Sequence, residues 1–134
     1  MARLFGTSGA RGDTNKDITP ELALKIGTAF GNLLEADCEE LVTVAVGRDN
    51  RYGAEMLAAA VTTGLISAGA HVDFLGCVPT GVMSMFMSPN GNRGGVLVTG
   101  SHMPPERIGI IPLRPNGHYH DRDITDRIEA ILRS

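Results

Sequence analysis

The chain has 134 residues, of which 43% are hydrophobic and 20% charged, and its formal net charge is −3. That make-up suits one soluble domain with a single core, lacks the basic excess a nucleic-acid duplex would call for, and contains no apolar run near the ~18 residues of a membrane span. No signal-peptide pattern precedes the first motif, and neither Cys38 nor Cys77 has a CxxC partner. A reduced, cytoplasmic protein without a zinc knuckle or redox motif is therefore expected.

The elements follow in order. "LFGTSGARGD" opens the chain with glycines at 6, 9 and 12. In "ITPELALKIGTAFGNLLEAD", Thr19 suits an N-cap and Pro20 the first helical position, while Leu22, Ile26, Ala29, Phe30, Leu33 and Leu34 recur at helical spacing. A helix from about Pro20 to Ala36 is predicted. "LVTVAVG" (41–47) reads as a β-branched strand, the stretch from Tyr52 to Gly69 as a second helix, and "HVDFLG" as a short strand. Pro79 leads into a brief helix through Met83 and Met87 that Pro89 is expected to end. "GGVLVTG" is a strand, "IGIIPL" another cut by Pro112, Asn116-Gly117 a turn, and "DITDRIEAILRS" a final helix. Helices alternating with strands in this way imply a three-layer α/β/α sandwich around a mixed, mostly parallel sheet, in a single domain.

Such sheets bind ligands on loops beyond the carboxyl ends of their strands. Here those ends are Gly47-Arg48-Asp49 and Gly100-Ser101-His102, and the glycine-rich opening could join them at the same edge. In "GTSGARG" the glycines let backbone N–H groups converge on an anion, and Thr7, Ser8 and Arg11 add donors. The stretch is neither a Walker A loop nor GxGxxG, so a phosphate cradle and a plain glycine-rich turn both remain open. Ser101 lacks the glycine two residues on that a hydrolase elbow requires; Met103 stands there. A serine on a loop stiffened by Pro104 and Pro105 could instead carry a phosphoryl group, whose charge needs arginine, backbone N–H or a metal cation; otherwise it simply caps a turn. Ser101 is expected to follow a strand, in an exposed loop within reach of Arg11.

Other matches are weaker. The internal "GSHM" resembles a cloning scar but is not terminal, and Arg11-Gly12-Asp13 resembles an adhesion tripeptide in a chain with no export signal. His118 and His120 could share a strand face and bind a metal, but beside an Asn-Gly turn they read as a solvated loop.

Taken together, "FGTSGARG" (5–12), "VGRDNR" (46–51), "VPT" (78–80) and "GGVLVTGSHMPPERIGI" (94–110) resemble the first domain of the α-D-phosphohexomutases, the phosphomannomutase/phosphoglucomutase family, with its FGTSGxRG, GRDxR, PTP and TASHNPPxxNGIK motifs. The resemblance runs nearly end to end. It implies that residues 1–134 form the phosphoserine-bearing domain of a four-domain mutase. Ser101 would exchange a phosphoryl group with hexose 1- and 6-phosphates through a hexose 1,6-bisphosphate intermediate. Arg11 would neutralise phosphate charge, His102 would shape the loop, and Thr7 and Ser8 would belong to the phosphate-binding opening. A phosphoryl oxygen on Ser101 would join Mg2+, whose other ligands would come from an absent second domain. The implied partners are the hexose phosphate and the remaining mutase domains, with neither nucleic acid nor membrane involved, and the isolated chain is expected to be inactive.

The chain departs from the family pattern at Met103, where the family has Asn, and across Ile108-Gly109-Ile110-Ile111, where it has Asn-Gly-Ile-Lys; PTP becomes Pro79-Thr80-Gly81. If "IGIIP" is a strand, Ile108 and Ile110 share one face and Ile111 the other. Ile111 is then expected to be partly exposed at the site edge, leaving a weak mutase that Ile111→Lys would improve. The alternative reading is a non-catalytic paralogue or a regulatory phosphate-binding module.

Overall fold

The computed structural model describes residues 4–6, 9–36, 38–100, 102–120 and 122–134. Thr7, Ser8 and Ser101 lie outside the described residues. In chain order the elements are β1 (Phe5–Gly6), β2 (Gly9–Asp13), α1 (Pro20–Ala36), β3 (Thr43–Arg48), α2 (Ala54–Ser67), β4 (His71–Cys77), α3 (Thr80–Asn90), β5 (Gly94–Thr99), β6 (Arg107–Leu113) and α4 (Arg122–Arg133). None of these helices is long and apolar enough to cross a membrane.

Helix α1 starts where its caps dictate: the Leu22 N–H donates to Thr19 Oγ1 at 3.1 Å, and Pro20 occupies the first turn, where no N–H is required. Helix α3 differs from the sequence expectation. It runs through Pro89 to Asn90 and stops at Gly91, which takes the left-handed conformation (φ 69°). A proline in the last turn disturbs few helical bonds, and Asn90 Nδ2 donates to the Phe86 carbonyl at 2.7 Å.

The six strands form one sheet in the order β1-β2-β6-β5-β3-β4. It is mixed, but the parallel pairings are confined to β5–β3 and β3–β4, while β1–β2, β2–β6 and β6–β5 are antiparallel. The expectation of a mostly parallel sheet thus holds for one half only. Short links join β1 to β2 and β5 to β6, and a short link can only reverse the chain. Nor does Pro112 cut β6. The β2 register ends at Ile110, and on that side Pro112 instead meets the segment at Tyr119–His120, whose His120 N–H donates to the Pro112 carbonyl at 3.3 Å; its missing N–H therefore breaks no β2–β6 bond.

Side chains alternate across the sheet as a period of two requires. Val44, Val46, Val96, Val98, Ile108 and Ile110 face a core closed by α1, α2 and α4. Ala45, Leu97, Ile111 and Leu113 face a smaller core closed by Met83 and Met87 of α3. These are the three expected layers. Ile111 does lie opposite Ile108 and Ile110, but it is 1% exposed, packed in the α3-side core, and not at an open edge. The opening hairpin helps to cover it: a Cβ on Gly9 would fall 2.9 Å from Ile111 Cγ1.

Candidate functional site

The register of the central strands brings distant sequence to one edge. Thr99 closes β5 opposite Gly109 of β6, and Gly109 in turn pairs with Arg11 of β2. Paired residues share a face, so Arg11, Gly109 and Thr99 lie in a row on the α3 side. From there the Arg11 guanidinium reaches the loop after β5, where Nη1 donates to Met103 Sδ at 3.7 Å. Arg11 thus meets the chain two residues beyond Ser101. His102 is exposed and Met103 partly so. The other described part of the glycine-rich opening sits further back, since Gly9 lies against Ile110 and Ile111.

The loop after β3 contributes most of the polar contacts. The Asp49 N–H donates to the Val98 carbonyl at 3.0 Å, tying the ends of the two parallel strands. Asp49 Oδ2 accepts from Thr99 Oγ1 at 3.0 Å and from the Gly100 N–H at 2.9 Å, while Oδ1 accepts from the Arg51 N–H at 3.0 Å. Arg51 Nε stands 3.7 Å from Asp49 Oδ2, and its Nη1 is shared among the carbonyls of Met103 (2.8 Å), Pro104 (2.6 Å) and Arg107 (3.0 Å). The loop therefore wraps the arginine. Two turns shape it: the Met103 N–H donates to Gly100 O, and the Arg107 N–H to Pro104 O. Arg107 Nη1 pairs with Asp13 Oδ1 at 3.5 Å along the same edge. Sequence reasoning singled out the motif "VGRDNR" but gave Asp49 and Arg51 no task, because their partners are some fifty residues away in the chain.

Two sequence readings need correction. Ile108 and Ile111 are 0% and 1% exposed, so they build the two cores and do not line the site; of the three apolar replacements only Met103 faces it. His120 is not in a solvated loop: its ring packs edge-on against Phe30 at 5.6 Å, while His118 is exposed. Among the described residues no group of three or more His, Cys, Asp or Glu side chains converges as a metal site. Clefts of about 380 and 340 Å3 around Arg93 and Pro115 lie at the opposite end of β5 and are lined by neither Arg11, Arg51 nor His102.

Residues 2–134 match the family model for phosphoglucomutase/phosphomannomutase, alpha/beta/alpha domain I. The chain belongs to this family. It is 48% identical over 117 residues to a phosphoglucomutase/phosphomannomutase of Thermococcus kodakarensis, covering 87% of this chain and 26% of that protein. It is 42% identical over 135 residues to a phosphoglucosamine mutase of Salinispora arenicola, covering 100% and 30%. Among solved structures it resembles a phosphoglucomutase/phosphomannomutase family protein from Burkholderia thailandensis, with a TM-score of 0.77 and 28% identity over 97% of this chain and 29% of that one. The chain thus spans between 26% and 30% of the length of these curated phosphohexomutase relatives.

Proposed function

We propose that this domain carries the phosphoryl group of a phosphohexomutase, with Ser101 as the carrier. The supporting observation is that Arg11, from the opening motif, meets the β5–β6 loop at Met103, two residues from Ser101, within a chain that matches domain I over residues 2–134. In the first half-reaction the P–O bond to Ser101 Oγ breaks and one forms to a hydroxyl of the hexose monophosphate, whose proton ends on the serine oxygen. The bisphosphate then turns over and returns its other phosphoryl group to Ser101 by the reverse step. Such transfer depends on placement and on neutralising the equatorial oxygens. Arg11 supplies a fixed positive charge, His102 stands exposed beside the serine, and Thr7 and Ser8 would add hydroxyl donors.

Mg2+, when bound, would offset phosphoryl charge. This chain offers it a phosphoryl oxygen on Ser101. The Asp49 carboxylate is committed to Thr99, Gly100 and Arg51, so the remaining ligands would come from beyond the chain. Sugar binding would likewise need the remaining mutase domains, and the isolated domain should not turn over.

Intact-mass analysis of the full-length protein tests this reading. Incubation with a hexose 1,6-bisphosphate should add one phosphoryl group, located on Ser101 and absent from Ser101→Ala. Mutase turnover that persists in Ser101→Ala would overturn it.

A further inference from the structure

We infer that Arg51, held by Asp49, is a positioning residue that sets the conformation of the serine loop; the inference rests on the phosphoryl-carrier reading above. Arg51 turns toward the backbone of this loop. Its side chain is only 17% exposed, and Nη1 is turned inward onto the carbonyls of Met103, Pro104 and Arg107. Asp49 grips the other side of the loop through the Thr99 hydroxyl and the Gly100 N–H. Thr99 and Gly100 before Ser101 in the sequence, and Met103, Pro104 and Arg107 after it, are therefore held by two side chains from one neighbouring loop. Hydrogen bonds with a charged partner are the stronger kind, and a planar guanidinium fixes direction as well as distance.

Gly100 is part of the same device. A Cβ there would collide with Arg51 Cζ, Nη1 and Nε. Only a glycine immediately before Ser101 lets the guanidinium pass beneath the chain. This makes Gly100→Ala a way to dislodge the clamp without deleting it. It also predicts that the two substitutions do not add: once Arg51 is gone, the extra methyl meets nothing of it.

The test uses the full-length protein in four forms, namely wild type, Arg51→Ala, Gly100→Ala and the double variant, all assayed well below their melting temperatures. Single-turnover phosphorylation of Ser101 by hexose 1,6-bisphosphate should slow by about 10- to 100-fold in each single variant, because small misplacements of a reacting group cost that much. The loss should fall on kcat with KM little changed, and Gly100→Ala should add nothing in the Arg51→Ala background. Hydrogen exchange provides a readout independent of activity: the amides of Gly100, Met103 and Arg107 should exchange at least about tenfold faster in Arg51→Ala, with those of α1 unchanged. A folded Arg51→Ala protein with wild-type transfer, full additivity of the two substitutions, or unchanged exchange in the loop would each overturn the inference. Wild-type protein that takes no phosphoryl group on Ser101 would instead sink the carrier reading, leaving the exchange experiment to judge the clamp.

Discussion

Arg11 lies across Gly109. The two residues pair in register between β2 and β6, and a Cβ on Gly109 would come within 2.9 Å of Arg11 Cγ. The arginine runs over the bare backbone of the glycine on its way to Met103. Gly109→Ala should therefore push Arg11 off its path, since the next nearest atoms, Thr99 O at 3.4 Å and Ala10 O at 3.5 Å, leave room for a methyl group. A modest stability loss of about 1–2 kcal/mol is expected, with a larger fall in Ser101 phosphorylation. Thermal melting and single-turnover assays on the same sample check both.

Ile111→Lys should destabilise the protein and not improve it. Ile111 is 1% exposed among Leu97, Leu113, Met83 and Met87. An ammonium placed there loses its hydration without gaining a carboxylate, which costs several kcal/mol or forces the side chain to break out of the core. A denaturant melt should show the midpoint falling sharply. A variant as stable as wild type, with faster phosphoryl transfer, would show that the lysine finds its own way to the site.

Gly64 sits where α2 crosses α1. A Cβ there would collide with the Leu24 carbonyl oxygen and lie 2.7 Å from Thr28 N, both backbone atoms of α1. Gly27 makes the reciprocal approach to the Val61 carbonyl. Alanine favours a helix over glycine by ~1 kcal/mol, but here the two helices would have to separate. Gly64→Ala should cost roughly 2–3 kcal/mol net, read as a lower urea midpoint at unchanged slope.

Glu129 fastens the first strand to the last helix. Its Oε1 accepts from the N–H groups of Leu4 and Phe5, each at 2.9 Å, and Oε2 pairs with Arg133 at 2.8 Å. Glu129→Ala orphans two donors, one of them buried, and should cost about 2–4 kcal/mol. Glu129→Gln keeps a carbonyl oxygen for both N–H groups; it loses the pairing with a half-exposed arginine and the charge that strengthens the two backbone bonds, and should cost about 1–2 kcal/mol. Melting temperatures should rank wild type, Gln, Ala in descending order; equal losses would place the weight on the ion pair.

The local elements and the motif positions were legible in the sequence. Helix α1 begins and ends where Thr19, Pro20 and the three-to-four spacing place it, because capping and helical periodicity are set by neighbours within a few residues. The opposite facing of Ile110 and Ile111 likewise follows from the pleat of any strand. What the sequence could not reveal was which faces and loops are covered, because coverage depends on segments that arrive from far along the chain. Ile111 reads as an edge residue until α3 and the opening hairpin close over it. "VGRDNR" reads as a motif without a task until tertiary structure sets Asp49 and Arg51 beside Thr99, Gly100 and the carbonyls of the serine loop. Residue type and spacing determined the kind of chemistry and the order of elements; the lateral order of the strands, which brings residues 11, 51 and 103 together, was decided only when the chain packed, since no local preference specifies which strand lies next to which.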